Sequence, residues 1–379
     1  MNGTIMRVLI LLVLVLTWAP ALSAQEPTTA QAVDKPKKTY FWLRMWPDFL
    51  VKYDVAADRV VGKVKNKNGV AHGSQLSFDR KKLLTITGQK TTIEVTDLAS
   101  LEVEDEHSFK REGYIIRIDS AKECPGGTHW YVKIQKIKNN LNHYEIEKPE
   151  WLYYNVEEEK IEKKMKELPK AIRSGARISP CGTKWHVFGK DITIVDPKTL
   201  KEEGKIELSK PQYTGMGALR VRGADFFDGK NMDGYRMFYT MSDPVKTSRS
   251  LLGIVDIDIK NKKVTKIREL GWNPRIGRFH LTKDRKMAVA QIWGGGRGRS
   301  GGDPEITLFN YDVDNGRKLR ETRVKIRNGL SLTAVSPDGK KLYLTGRGHE
   351  LVIYDDHHKY VKTVEMGGEI DGRILVVEE

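Results

Sequence analysis

Alternation of apolar and polar positions, the period of a strand with one buried face, runs through most of the chain and is broken at intervals by short polar turns. The clearest stretch lies near the C-terminus. Leu330 to Val335 alternates, and Ser336-Pro337-Asp338-Gly339-Lys340 then reads as a turn, with proline presetting φ and Asp-Gly closing a tight hairpin. Leu342 to Thr345, Leu351 to Asp355 and Tyr360 to Val364 follow as three further strands. Four short strands with tight connections predict one antiparallel four-stranded unit.

Earlier segments repeat this unit. Ser77-Phe78-Asp79-Arg80 precedes the strands Leu83–Thr87 and Thr92–Val95; Ser179-Pro180-Cys181-Gly182 precedes Trp185–Phe188 and Ile192–Val195. Thr282-Lys283-Asp284-Arg285 precedes Met287–Ala290 and Ile306–Phe309. Cys124 to Gly127 leads into Trp130–Ile134 and then Trp151–Tyr154, and a longer turn from Asp228 to Gly234 leads into Tyr235–Phe238 and then Gly253–Asp256. A polar residue closes each third strand, at Asp54, Asp97, Asn155, Asp196, Asp256, Asp312 and Asp355. The spacing of roughly forty to sixty residues is the period of propeller blades with some long loops. The first unit lacks an inner strand, and Arg373 to Val377 is an orphan strand able to fill that gap and hide two sheet edges. Glu157 to Leu168 carries Glu/Lys pairs at helical spacing, but its place in the repeat predicts a turn and an outer strand.

The run from Ser336 to Thr345 resembles the YVTN-type and WD-repeat-like β-propellers, and the same pattern, degraded, recurs through most of Tyr40 to Glu379. The resemblance implies an all-β chain forming a seven-bladed β-propeller of four-stranded antiparallel blades, closed by the C-terminal strand joining the first blade. It says little of function, because propellers serve unrelated tasks.

The N-terminus adds a location. Arg7, an unbroken apolar run from Val8 to Leu16 and small residues at Ala21, Ser23 and Ala24 form the pattern of a secretion signal over residues 1–24. Residues 25–38, with Pro27 and Pro36, read as a flexible lead-in, and residues 39–379 as one propeller domain. The expectation is an exported protein, periplasmic or extracellular, with no further membrane span. Two cysteines, Cys124 and Cys181, are too few for a disulfide scaffold, and their turns in adjacent units favour free thiols over a pair. The formal net charge of +15, one unit of it from Arg7, favours anionic partners. For an exported chain these are acidic polysaccharide or lipid headgroups rather than nucleic acid.

Candidate chemistry gathers in loops. Connections leading into the first strand of each blade, and those joining second to third strands, share one face of a propeller. Arg111-Glu112-Gly113, Arg173-Ser174-Gly175, Arg275-Ile276-Gly277 and Arg327-Asn328-Gly329 precede inner strands, and Arg222-Gly223 is a shortened copy. Glycine suits the sharp bend, and guanidinium groups take carboxylate, sulfate or phosphate in bidentate fashion. Arg278 lies beside this element, and Arg297 and Arg299 sit in a glycine-rich loop able to present backbone N–H groups. Single arginines of this kind serve as well by pairing with a nearby carboxylate. Tyr144, Tyr213 and Trp272 are candidate stacking residues for a sugar. His72, His280 and Tyr213 form a candidate catalytic set for a lyase or hydrolase acting on acidic polysaccharide. Asp355-Asp356-His357-His358 reads as a solvated turn, and Asp228 to Gly234 lacks the closing glutamate of a calcium loop, so no metal site is expected. Nothing marks a cofactor: there is no Cys-x-x-Cys-His and no Gly-x-Ser-x-Gly. The leading expectation is a non-catalytic binding module for an anionic ligand or a partner protein. The lyase and a structural role in an envelope complex are the alternatives.

Overall fold

The computed structural model describes residues 38–379 except 167, 169–175, 180–181, 211–212, 225–233, 247, 273–275, 294–304, 327–329, 347 and 371–373, with the side chains of 222–224, 276–277 and 293 also outside the description. Its strands form seven antiparallel sheets, the blades of a propeller. Blade 1 contains Thr39–Trp46, Phe49–Asp54 and Arg59–Lys65; blade 2 contains Gly73–Leu76, Lys82–Thr87, Thr92–Asp97 and Val103–Ser108. Blade 3 runs through Tyr114–Glu123, His129–Asn140, Glu150–Asn155 and Lys160–Met165, with His143–Ile146 extending its central hairpin. Blade 4 is Ala176–Ile178, Trp185–Phe188, Ile192–Val195 and Glu202–Ile206; blade 5 is Arg220–Ala224, Gly234–Ser242, Ser250–Asp258 and Lys263–Trp272. Blade 6 is Ile276–Leu281, Met287–Trp293, Glu305–Asp312 and Arg317–Lys325; blade 7 is Ser331–Val335, Lys341–Thr345, Glu350–Asp355 and Tyr360–Glu365. Lys160–Met165 is an outer strand, so the repeat overrides the local helical spacing there.

The ring closes as the orphan strand predicts. Leu375–Glu378 pairs antiparallel with the start of Thr39–Trp46, setting Val377 opposite Tyr40, and Glu369–Ile370 pairs with the end of the same strand. Packing confirms closure independently. Among the described residues the buried apolar side chains fall into seven clusters, each at the seam between two neighbouring blades. Trp42 and Leu83 bridge blades 1 and 2; Ile93 and Val132 bridge 2 and 3; Tyr131 and Trp185 bridge 3 and 4. Ile206 and Tyr239, Ile254 and Ala288, and Leu308 and Leu344 hold the next three seams. Phe41 meets Tyr343 edge-on, with ring centroids 4.7 Å apart, at the seam of blades 7 and 1.

Two turns recur because the same hydrogen bonds recur. In the first, a Ser or Thr hydroxyl donates to an Asp two residues on, at 2.6 Å in Ser77/Asp79, Thr282/Asp284 and Ser336/Asp338. The same oxygen accepts the N–H of Lys82, Met287 or Lys341 at the start of the next strand. The fourth position is left-handed: Gly339 at φ 75, but Arg80 at φ 62 and Arg285 at φ 61, where the repeat has lost its glycine. In the second turn, the polar residue closing the third strand caps backbone N–H groups, as Asp97 does for Ala99 and Ser100 and Asp196 for Lys198 and Thr199. A bulge and a left-handed residue follow, at Asp58, Leu101, Glu159, Leu200, Lys262, Gly316 and His358.

Blade 5 departs from the expected closing residue. Its third strand runs two residues longer, so Asp258 caps the turn through Asn261 N–H. Asp256 instead binds Arg236 at 2.8 Å and Arg268 at 2.6 Å, and Arg236 continues to Asp314 of blade 6 at 3.0 Å. These cations neutralise a half-buried carboxylate, whose proton affinity they lower against the effect of burial.

Candidate functional site

Antiparallel succession puts the loops leading into inner strands on the same face as the connections between second and third strands. Arg111 stands there, exposed, in a tight bend that Gly113 turns at φ 76. Its backbone bridges to Tyr114, so the predicted Arg-x-Gly bend exists in this copy. Arg278 is also exposed, beyond a register shift in the inner strand of blade 6, and Arg222 occupies a corresponding shift in blade 5. Arg173, Arg275, Arg297, Arg299 and Arg327 lie outside the described residues, as does the side chain of Arg222.

The catalytic candidates are dispersed over three blades. His72 is exposed on the loop into blade 2, and its backbone N–H donates to Ile86 at 2.8 Å. Tyr213 packs partly buried against the blade 5 core, its hydroxyl engaged with Tyr239 and Glu269, and burial raises its proton affinity. His280 sits on the inner strand of blade 6 beside the backbone of Leu332 in blade 7, and burial lowers its pKa to about 4. Its Nε2 is enclosed without a partner among the described residues. Tyr213 is therefore held by the blade 5 core.

The remaining readings also find places. Asp355, Asp356 and His357 come close enough to share an ion, but they are a turn: Asp355 Oδ1 accepts the N–H groups of His357 and Lys359, and His357 pairs with Asp356 at 2.7 Å in the open. His358 faces away, its Nε2 2.8 Å from Asn310 of blade 6. Cys124 is a buried free thiol, while Cys181 and the Asp228 turn are outside the described residues. Among the described residues no helix is long and apolar enough to cross a membrane.

The loop face carries a second feature, large apolar side chains in the open, of which the sequence pattern singled out Tyr144 and Trp272 but not Trp46, Leu141, Ile146 or Val245. Trp46 is 57% exposed at the connection between second and third strands of blade 1. The blade 3 hairpin lifts Leu141, Tyr144 and Ile146 off the sheet, with Ile146 registered against Ile137. In blade 5, Asp243 Oδ1 accepts the N–H groups of Val245 and Lys246 and so shapes a turn that leaves Val245 exposed. Arg249 ends this turn with its guanidinium 4.2 Å above the ring of Trp272, itself 46% exposed. The same guanidinium stands 4.0 Å from Asp243 Oδ2, and at 53% side-chain exposure it remains within reach of an anion that could compete with that carboxylate. Single exposed apolar residues are ordinary, but several Trp, Tyr and Arg side chains on one face make the composition of a binding surface.

No protein-family model matches the chain, and no curated protein matches it. Solved structures similar to it include Citrobacter koseri AztD, with a TM-score of 0.49 and 12% identity over 90% of this chain and 98% of that one. The dihydro-heme d1 dehydrogenase NirN in complex with DHE gives 0.48 and 14%, over 93% and 78%. The β-propeller domain of Myceliophteria thermophila Cps50 (Swd1) gives 0.43 and 16%, over 80% and 88%. These likenesses concern the fold alone.

Proposed function

We propose that this β-propeller is an exported, non-catalytic binding module that takes an acidic partner on its loop face. The observation that carries the reading is the Arg249–Trp272 pair, set on the same face as the exposed blade 3 hairpin and Arg111. Aromatic anchors supply contact area, the guanidinium groups supply selection for carboxylate or sulfate, and the excess of cations over the whole chain, +15, steers such partners toward it.

The test is binding of the purified chain to an array of acidic and neutral glycans and acidic peptides, at low and at high salt. Selective capture of one acidic class, weakened by salt and lost in Arg249→Ala and Trp272→Ala without a change in thermal stability, is the expected result. Equal binding by both variants, or none at either salt, would overturn it.

A second reading rests on a separate surface. Val60 and Val61 of blade 1 and Tyr360 and Val361 of blade 7 are exposed on outer strands of adjacent blades. Such edges suit a protein partner in an envelope complex. Loss of complex formation in Val61→Lys and Val361→Lys, with glycan binding intact, would select that role.

A further inference from the structure

The left-handed residue that ends the third-to-fourth-strand turn leans on the preceding blade wherever its contacts are seen. Leu101 of blade 2 covers Gly62 of blade 1, Lys262 of blade 5 reaches Gly204 of blade 4, and His358 of blade 7 binds Asn310 of blade 6. Two blades place a carboxylate at this position. In blade 1 it is Asp58, neutralised by Lys341 at 2.7 Å and Lys362 at 3.5 Å from blade 7. In blade 3 it is Glu159, and what it meets on blade 2 is not a cation. It meets Asp105 and His107, two residues apart and so on one side of the strand Val103–Ser108.

We propose that Asp105, His107 and Glu159 bind a divalent transition-metal ion of the zinc class at the seam between blades 2 and 3. One donor atom from each residue lies within 4.8 Å of the others. Donors around a tetrahedral zinc stand about 3.3 Å apart, and both carboxylates lie on the open side of the seam, where they can close that difference. The imidazole is built for the task. Its side chain is fully buried, yet Nε2 has no hydrogen-bond partner among the described residues, although it lies 3.1 Å from Asp105 Oδ2. That separation is close to the spacing of two ligands on one zinc ion, and without an ion the same contact is a His–Asp pair. Nδ1 is 3.0 Å from the hydroxyl of Tyr154, which accepts its proton when the Nε2 lone pair faces the metal. Asp105 Oδ1 is held by the N–H of Glu106 at 2.8 Å, leaving Oδ2 for the ion.

Neither Asp105 nor Glu159 makes an ion pair with a lysine or arginine among the described residues, so both carboxylates stay available to an ion beside the buried Nε2 lone pair. An imidazole with two carboxylates selects zinc and its neighbours over calcium, which wants six to eight oxygens. Both carboxylates are exposed, so solvent can reach the ion and supply a fourth ligand.

The experiment titrates the full chain, purified without a histidine tag, with zinc chloride by calorimetry and with cobalt chloride by visible absorption. One equivalent should bind, with the intense cobalt bands of a four-coordinate site. Asp105→Asn and Glu159→Gln, both at exposed positions that leave the core intact, should each weaken binding at least about tenfold, and His357→Asn at the other acidic turn should leave it unchanged. Absence of binding, equal affinity in Asp105→Asn and Glu159→Gln, or loss in His357→Asn would each overturn the assignment.

Discussion

Phe78 lies against Gly182, although the two residues belong to the first turns of blades 2 and 4, which are not neighbours. A Cβ on Gly182 would stand 2.6 Å from Phe78 Cε1. These turns therefore meet past the intervening blade 3, whose Glu123 accepts the N–H of Phe78, on the face opposite the loop surface. Gly182 is also left-handed at φ 73. Gly182→Ala should destabilise the chain by about 2–4 kcal/mol, strain and overpacking acting together. Gly69→Ala, at φ 81 with nothing within 4 Å, is the control and should cost only about 1–2 kcal/mol. Denaturant unfolding measures both. Equal losses would mean that the Phe78 contact yields without cost.

Ring closure makes a second prediction. Lys52, buried in blade 1, places Nζ 2.6 Å from Glu379 Oε2, just beyond the closing strand. Glu379→Gln should cost about 1–2 kcal/mol, modest because that carboxylate is a third exposed. Deleting residues 375–379 removes the pairing of Val377 with Tyr40 as well and exposes two sheet edges. That variant should lose cooperative unfolding and aggregate, as read by calorimetry and light scattering. A sharp transition near the wild-type temperature would show that the ring does not depend on its closing strand.

The seam of blades 4 and 5 should be sensitive to acid. His186 is buried, 2.7 Å from the Tyr235 hydroxyl, and burial lowers its pKa to about 4. The unfolded chain therefore binds a proton that the folded one refuses between pH 6.5 and 4. Stability from this group is full above about 6.5 and declines as pH falls through that window, by up to about 3 kcal/mol. His186→Gln should flatten the decline in melting temperature over this range. An unchanged slope would assign the acid response to other groups.

The sequence carried the fold further than the site, for physical reasons. Strand alternation and the Ser/Thr-x-Asp turn are local, so Ser77, Thr282 and Ser336 announce their blades even where Arg80 and Arg285 have replaced glycine. Asp256 was misplaced because Asp258 matches the same spacing, and only the strand register separates the cap from the arginine-bound carboxylate. The seam of Asp105, His107 and Glu159 was not legible at all. Its partners come from two blades, and the lean of a turn residue onto its neighbour has no signature along the chain. The Arg-x-Gly bend was legible at Arg111, since Gly113 is a local requirement, whereas convergence of arginines depends on loop paths.

Glu123 should oppose the histidine in its dependence on pH. Its carboxyl, on the inner strand of blade 3, accepts the N–H of Phe78 in blade 2 at 2.7 Å, and burial raises its pKa from 4.5 to about 7. The folded chain then holds a proton that the unfolded chain releases between those values. Its contribution is greatest below about pH 4.5 and falls as pH rises through 7. Glu123→Gln keeps an acceptor for Phe78 but removes the ionisation. The variant should match the wild type at pH 4.5 and exceed it at pH 8 by about 1–3 kcal/mol. Thermal unfolding of wild type, His186→Gln and Glu123→Gln across pH 4 to 8 separates the two effects, because the first variant loses the acid limb and the second gains on the neutral one. A Glu123→Gln gain that is the same at pH 4.5 and 8 would trace the difference to packing rather than to a carboxylate forced to ionise between blades.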